Sequence, residues 1–384
     1  MSENKVLVIY NHFLPAWKAG GPIRSIAEIV YSLHQAYDFY ILTSAFDHNE
    51  KKNMDFILPK QWIKWEDKAH VFYHSKPTTS VSFFLKHFKD LNPNVIFING
   101  LFSLYYNILP LLAAFKYTKI NPKTKIILSP RGMLHPGALS QKKIKKNIYL
   151  LLFNLLRFNK KVHWHATDEK EVHFIRNKFK NAKISIASNL PRLSNQLTSP
   201  RKQKGQLIMG TLALISPMKN HLEIINVLKS INDNVVWHIY GPIKDIAYWE
   251  ICKKNILDLP SNIQVLYHGA IPPDQVLSEL KNIQIFILPS KSENFAHSIC
   301  EALSCGKPVI TTDTTPYSNL QHFSAGYTLR YNQLRKDMID AIQYFINMGE
   351  SEFASHSSSA TIYIKNKMNI QNIISQYQNL FKSV

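Results

Sequence analysis

Residues 283–312 read IQIFILPSKSENFAHSICEALSCGKPVITT. An apolar, β-branched run ends at Pro289, and the polar loop after it carries Glu293. A helical stretch then carries Glu301, and a second apolar run follows Gly306. Such runs are typical of strands buried on both faces of a parallel sheet. The stretch therefore predicts a strand-loop-helix-strand unit with two carboxylates beyond the carboxyl end of its first strand.

The same alternation of apolar runs and helical stretches extends along the whole chain. The first half predicts strands at residues 5–10, 39–43, 95–99, 125–129, 162–165 and 184–187. The second half predicts strands at residues 207–214, 235–240, 263–267, 283–288 and 309–312. Two α/β domains with doubly wound parallel sheets are therefore expected. Ligands of such sheets bind at the carboxyl ends of the strands, so we expect a central cleft between the domains to be the site.

The domain boundaries follow from a polar, breaker-rich stretch in the middle of the chain. We expect a first domain at residues 1–188, a linker at 189–206 and a second domain at 207–367. The last segment, 368–384, has apolar residues at helical spacing, and we expect it to form a helix that packs back on the first domain.

Composition narrows the class of protein. The chain has 384 residues, of which 45% are hydrophobic, so it is a folded protein long enough for two domains. Its three cysteines lack a C-x-x-C pair, which excludes a disulfide scaffold and a structural zinc cluster and favours a reducing cytosol. No apolar stretch reaches transmembrane length.

The net charge of +20 is concentrated in the first half, where residues 1–190 hold 28 basic and 12 acidic side chains. Its densest part is residues 140–161, a basic helix with a broad apolar face and Ser140 as the expected N-cap. Such a helix suits an anionic membrane surface. It equally suits a core helix whose lysines are solvated, and both interpretations stay open. No helix-turn-helix, zinc-finger or RNA-binding signature supports a nucleic-acid partner.

The stretch 288–310 resembles the signature of glycosyltransferase family 4, within the group 1 glycosyl transferases. Other segments complete the resemblance: Gly20–Pro22, Ser129–Leu134, Ser216–Asn220, Ile239–Ile243, Tyr248–Trp249, His268–Gly269 and Thr315–Tyr317. Together they resemble the branch that builds bacterial surface polysaccharides such as capsule, lipopolysaccharide O-antigen and exopolysaccharide. The resemblance implies a GT-B fold of two Rossmann-like domains, with the acceptor on the first and a nucleotide-sugar donor on the second.

The resemblance assigns donor-binding roles in the second domain. Glu301 would bind the ribose hydroxyls, because a carboxylate accepts two hydroxyl donors at once. Glu293 would hold the donor sugar, and Lys219 would stabilise the departing diphosphate, so these two are the candidate catalytic residues. The backbone around the sugar and phosphate would come from the next three residues, Asn294, Phe295 and Ala296.

In the first domain, the resemblance points to two further groups. Gly20 and Gly21 would let the backbone approach the diphosphate, and Pro22 would begin the next helix. Arg131, in a loop after a buried strand, has planar donors suited to a phosphate or an acceptor hydroxyl. His165 ends a strand and would orient the acceptor, although a buried structural histidine fits the sequence equally well.

Three positions depart from the family pattern. Leu214 stands where relatives usually have an arginine beside the diphosphate, so either another cation such as Arg131 or Arg24 supplies the charge or transfer is weak. Ala296 replaces a usual glycine, and Asn99 stands where relatives often carry histidine. The missing arginine at Leu214, together with the basic stretch, keeps open a non-catalytic protein that binds anions, on membranes or on nucleic acid.

The resemblance implies a retaining transferase of hexosyl or N-acetylhexosaminyl type, with a lipid-linked glycan on polyprenyl diphosphate as acceptor. We expect the protein to be cytoplasmic and peripheral on the inner face of the plasma membrane. No two aspartates lie two positions apart, so the metal-binding D-x-D pair of the other common transferase fold is missing. We therefore expect a metal-independent reaction without a cofactor. A nucleotide-sugar epimerase or a phosphorylase of the same fold is the enzymatic alternative.

Overall fold

The computed structural model describes residues 4–17, 20–47, 50, 54, 61–74, 80–140, 142–194 and 199–382. The chain divides into a first unit, Met1–Leu190 with Ile370–Val384, and a second unit, Pro191–Asn369. The predicted linker at 189–206 overlaps this division, and its residues 195–198 lie outside the described residues.

The first unit is built on an eight-stranded sheet. Its strands are β1 (Lys5–Ile9), β2 (Asp38–Ser44), β3 (Trp62–Trp65), β4 (Ala69–His74), β5 (Val95–Asn99), β6 (Lys125–Ser129), β7 (His163–Ala166) and β8 (Lys183–Ile186). Their order is β3-β4-β2-β1-β5-β6-β7-β8, and every pair is parallel except β3 with β4 at one edge. The helices before residue 190 are α1 (Gly21–Leu33), α2 (Val81–Leu91), α3 (Leu109–Tyr117), α4 (Pro136–Ser140), α5 (Lys143–Leu155) and α6 (Glu169–Lys178).

The second unit is built on a six-stranded, fully parallel sheet. Its strands are β9 (Gln206–Leu212), β10 (Asn234–Tyr240), β11 (Ile263–Tyr267), β12 (Ile285–Leu288), β13 (Val309–Thr312) and β14 (Gly326–Leu329). Their order is β11-β10-β9-β12-β13-β14. The helices are α7 (His221–Leu228), α8 (Ile246–Leu257), α9 (Val276–Leu280), α10 (His297–Ser304), α11 (Leu334–Asn347) and α12 (Glu350–Lys367).

These sheets confirm the predicted fold class of two doubly wound α/β domains. Each of the eleven predicted strands corresponds to an observed strand. The prediction missed β3, β4 and β14. None of the four residues of β3 is buried, and β14 has only four residues and starts with a glycine. In β4, histidines at positions 70 and 74 shorten the apolar run to residues 71–73. All three therefore lack a long apolar run.

Alternate side chains of the central strands pack on opposite faces of each sheet. In β1, Val6 and Val8 belong to one buried cluster, whereas Leu7 and Ile9 belong to another. Because a strand directs successive side chains to opposite faces, both faces of the sheet are covered and dry. This explains why the strands are continuous apolar runs.

A last helix, α13 (Ile370–Phe381), belongs to the first unit although it follows the second in the chain. Its residues Ile373, Tyr377, Leu380 and Phe381 are buried in the same cluster as Val6. The ring of Phe381 meets that of Phe97 with centroids 5.8 Å apart. The helix is therefore a structural part of the core of the first unit.

The basic stretch after residue 140 begins differently from the prediction. Ser140 ends α4, and its hydroxyl donates to the carbonyl of Gly137 at 2.8 Å. Helix α5 begins after Lys142, whose backbone is left-handed with φ 53°. The N-cap prediction for Ser140 was wrong, because Pro136 starts a separate helical turn that ends at this serine.

Two further observations bear on the class of protein. Cys252, Cys300 and Cys305 are all buried free thiols. Among the described residues, every helix is too short or too polar to cross a bilayer.

Glycine is required where β14 meets β13. Gly326 has φ 147°, and a Cβ placed on it would lie 2.0 Å from the carbonyl oxygen of Val309.

We predict that Gly326→Ala lowers the free energy of unfolding by more than about 3 kcal/mol, since it adds a backbone clash to an unfavourable φ. The control is Gly269→Ala, where φ is 75° and nothing lies within 4 Å of the added methyl. It should cost only about 1 kcal/mol. Calorimetric unfolding compares them, and equal losses would contradict the steric argument.

Candidate functional site

The strand order of the second unit reverses beside β9, which lies between β10 and β12. The chain winds outward from β9 to one edge and then returns to β12, so the connections after β9 and β12 leave toward opposite faces. Ligands of open α/β sheets bind in the crevice formed at such a reversal. The loops in question are residues 213–220 and 289–296.

These two loops bring together two residues that are 74 positions apart in the chain. Lys219 Nζ forms an ion pair and hydrogen bond with Glu293 Oε1. Ser290 Oγ donates to the same oxygen at 2.6 Å. The Lys219 and Glu293 side chains are 18% and 11% exposed, so water screens their charges less than those of a surface pair. The two candidate catalytic residues therefore form one charged, polar cluster.

Backbone contacts fix the position of both loops. Asn220 Nδ2 donates to the carbonyl of Pro289 at 2.7 Å, and the Lys291 N–H donates to the carbonyl of Met218 at 2.9 Å. On the other side, the hydroxyls of Thr312 and Thr314 donate to the carbonyl of Ser290 at 2.6 and 2.8 Å. The ion pair thus lies on a rigid support, which favours a preorganised site.

The residues that follow Glu293 lead into α10. Asn294 and Phe295 complete the loop, and Ala296 occupies the N-cap position with φ 55° and ψ 68°. An alanine has no side-chain oxygen to cap the first backbone N–H groups of α10. An uncapped helix N-terminus beside a cationic side chain is suited to the oxygens of a phosphate.

Glu301 lies within α10 and is 6% exposed. Burial and, second, the charge of this carboxylate raise the pKa of the neighbouring Cys300 thiol. Glu301 is thus a buried carboxylate in the helix that directly follows the Glu293 loop. Its assignment to the ribose stays a prediction.

In the first unit, Gly20 occupies the N-cap position of α1 with φ 78°. Gly21 and Pro22 are the first residues of that helix. The loop follows β1, which lies where the strand order of the first sheet reverses, between β2 and β5. The helix N-terminus has no acidic residue in its first turn. Contact of this turn with a diphosphate stays a prediction.

Arg131 is tied into a polar network inside the first unit. Its Nε donates to Asn99 Oδ1 at 2.9 Å, and its Nη1 donates to Asn189 Oδ1 at 2.7 Å. Ser25 Oγ donates to the same oxygen of Asn189 at 3.0 Å. The Arg131 charge also opposes the burial that raises the pKa of Tyr377 in α13. The guanidinium therefore links Asn99 at the end of β5 to Asn189, which α1 contacts in turn through Ser25. Its role toward a phosphate or acceptor stays a prediction.

His165 is completely buried, and both ring nitrogens have partners. Nδ1 lies 2.8 Å from Ser129 Oγ, and Nε2 lies 2.8 Å from the carbonyl oxygen of Ala187. Burial and, second, the charge of Arg131 lower its pKa to about 3, so the ring is neutral at neutral pH. This arrangement favours the structural interpretation of His165 over contact with an acceptor.

The sequence analysis missed Ser290, Asn220, Thr312 and Thr314, which position the ion pair. Asn220 has φ 58°, so an asparagine directly before a helix was a usable signal for a left-handed turn. Thr311-Thr312 at a strand end carried no comparable signal.

Within the described ranges, no cluster of three or more His, Cys, Asp and Glu side chains is placed to hold a metal ion. Metal independence stays a prediction.

A known protein family matches the second unit, and solved structures match the whole chain. Residues 194–357 match the family described as glycosyl transferases group 1, which covers less than half of the chain and includes both loops of the ion pair. No curated protein matched the sequence.

Solved structures are similar over the whole length. HepE from Anabaena, in complex with UDP and glucose, has a TM-score of 0.70 at 15% identity, covering 98% of this chain and 99% of HepE. Sucrose-phosphate synthase from Thermosynechococcus elongatus has a TM-score of 0.70 at 15% identity, covering 99% of this chain and 98% of the synthase. WaaG, a glycosyltransferase involved in lipopolysaccharide biosynthesis, has a TM-score of 0.63 at 11% identity, covering 98% and 99%. The similarity confirms the predicted GT-B fold.

The strained backbone at the N-cap of α10 gives a test of the site geometry. Ala296→Gly removes the cost of a left-handed alanine, and we predict a gain of about 0.5–1 kcal/mol in unfolding free energy after the extra flexibility of the unfolded chain is counted. The control, Ala302→Gly, lies inside the same helix and should lose at least about 1 kcal/mol. Denaturant unfolding measures both, and a loss at position 296 would contradict the observed φ.

Proposed function

We propose that this chain is a retaining glycosyltransferase of family 4, which moves a sugar from a nucleotide-diphosphate donor to a growing glycan. The observation that carries the proposal is the Lys219–Glu293 pair at the strand reversal of the second unit, within the segment that matches the group 1 family. The complex of HepE with UDP and glucose supports a UDP-linked hexose or N-acetylhexosamine as donor.

Lys219 would act on the leaving group. As the bond between sugar and diphosphate breaks, negative charge grows on the diphosphate, and a preorganised ammonium stabilises that charge. In the structure, Glu293 and the rigid loops already hold Lys219 in place. The uncapped N-terminus of α10 supplies backbone N–H groups to the same phosphates.

Glu293 and Glu301 would bind hydroxyl groups of the donor. Glu293 accepts from both Lys219 and Ser290 through the same oxygen, Oε1. A carboxylate has about four acceptor directions in all, so capacity remains for sugar hydroxyls. Glu301 would bind the ribose, with the backbone of residues 294–296 around the sugar. Attack from the face of the departing phosphate explains retention without an enzymic nucleophile.

The missing arginine at Leu214 requires another cation. Arg131 donates to two asparagine oxygens through Nε and Nη1, and its Nη2 is buried, so the guanidinium is turned into the first unit. Lys291 is exposed, and its backbone is hydrogen-bonded to Met218 beside Lys219. We propose that Lys291 shares the phosphate charge with Lys219.

We further propose that the acceptor is a lipid-linked glycan on polyprenyl diphosphate at the inner face of the plasma membrane, in surface-polysaccharide synthesis. The similarity to WaaG supports this pathway class. The reaction would need no metal and no cofactor.

A panel of nucleotide sugars tests the donor class. UDP-glucose, UDP-galactose, UDP-N-acetylglucosamine and GDP-mannose are each added to the purified protein, and unfolding temperature is recorded. Because a ligand that binds the folded state raises apparent stability, one donor should raise it by several degrees. Glu301→Gln should abolish that shift. If no nucleotide sugar shifts the wild-type protein, and salt-sensitive nucleic-acid binding appears instead, the proposed function is wrong.

Substitution of the ion pair tests the chemistry. Lys219→Met should reduce transfer or donor hydrolysis by about 100-fold or more, because leaving-group stabilisation of this kind is worth at least that factor. Lys291→Met should reduce it by a smaller factor. The matched control is Lys253→Met in α8, an exposed lysine paired with Glu250, which should leave the rate unchanged. Wild-type rates in Lys219→Met and Glu301→Gln would remove the site assignment.

A further inference from the structure

Helix α5 carries apolar side chains on two opposite faces. Leu150 and Phe153 point into the core of the first unit and are buried. A second set is 51–76% exposed: Ile144, Ile148, Leu151, Leu152, Leu155 and Leu156. The first five are spaced at i, i+4, i+7, i+8 and i+11, so they form one stripe along the outer face of the helix. We call these six residues the α5 stripe.

The α5 stripe is large for a protein surface. Exposed leucines and isoleucines scattered singly are ordinary, but six on one helix form a continuous apolar patch, and such patches mark interaction sites. Phe102 packs against the same helix, with its ring centroid 5.5 Å from that of Tyr149 and 5.1 Å from Lys146 Nζ, and Leu104 and Tyr105 shortly after it are also exposed.

The charge around the α5 stripe has a single sign. Lys142, Lys143 and Lys145 are exposed at the start of the helix, and Arg157 and Lys160 are exposed just beyond its end. The sequence has no acidic residue between Asp90 and Asp168. The partner of this face must therefore supply apolar surface in the middle and negative charge at its border.

We propose that the α5 stripe is the surface by which the protein docks on an anionic lipid bilayer. In a bilayer interface, the stripe enters the acyl boundary while the flanking lysines remain among anionic headgroups. A second copy of the chain fits less well, because pairing two stripes would bring their lysine clusters together. Nucleic acid supplies the negative charge but leaves the apolar side chains uncovered. The proposal deepens the proposed function, on whose membrane-bound acceptor it rests, by naming the surface that meets the membrane. Vesicle binding is measured without donor or acceptor, so its failure is distinguishable from a failure of sugar transfer.

Vesicle sedimentation tests the docking surface. The full chain is mixed with vesicles of pure phosphatidylcholine or of phosphatidylcholine with 30% phosphatidylglycerol, a composition chosen for the assay. We expect binding to the anionic vesicles and weak binding to the neutral ones. Leu151→Ser with Leu155→Ser should weaken it by about tenfold or more, because they remove the centre of the apolar face. A triple variant with Lys142→Gln, Lys143→Gln and Lys145→Gln should also bind about tenfold more weakly or worse. The remaining binding should no longer depend on salt concentration. Lys146 is left intact because it donates to the carbonyl of Ala138.

The matched control is Ile246→Ser with Leu257→Ser, two exposed apolar residues of α8 in the second unit. It should bind like the wild-type protein. All substituted side chains are exposed, and an unchanged unfolding temperature verifies the fold of each variant. Wild-type binding by both α5 variants would overturn the proposal. So would a concentration-dependent dimer in sedimentation velocity that Leu151→Ser abolishes, without vesicle binding by the wild-type chain.

Discussion

A parallel sheet that is covered by helices on both faces has no solvent-exposed face on which polar functional side chains could lie. In both units, alternate residues of each central strand enter different buried clusters, so charged groups are confined to the strand ends. The loops after β9 and β12 lie at such strand ends, where the strand order reverses, and they are hydrogen-bonded to each other. Lys219 and Glu293 meet there, at a position where the fold admits charged side chains.

The fold was predictable from sequence because strands that are buried on both faces appear as continuous apolar runs. This pattern is weaker in the edge strands of the two sheets, because β3 is partly exposed to solvent and β14 is short, and the prediction missed both. The pairing of Lys219 with Glu293 was a different problem. Family resemblance named both residues, but only the strand order explains their contact. Ser290 and Asn220 went unnoticed because side chains that support a loop through single hydrogen bonds follow no spacing rule.

The interior of the first unit shows why single residue types are weak evidence for function. Arg131 and His165 each make hydrogen bonds inside the first unit, and the arginine charge helps to keep the histidine neutral. A loop arginine and a strand-end histidine are equally common in active sites and in such networks. Their hydrogen-bond partners, Asn99 and Ser129, come from adjacent strand ends that sequence spacing alone does not bring together.

The return of α13 to the first unit also sets an order of events during synthesis. Helix α13 contributes Ile373, Tyr377, Leu380 and Phe381 to a cluster whose other buried residues come from the first half of the chain. During synthesis, the apolar face that α13 covers stays open until residues 370–381 emerge, and by then the whole sequence of the second unit has already been made. The domain that is made first is therefore the one that finishes folding last, and its exposed face during that interval is a natural target for chaperones.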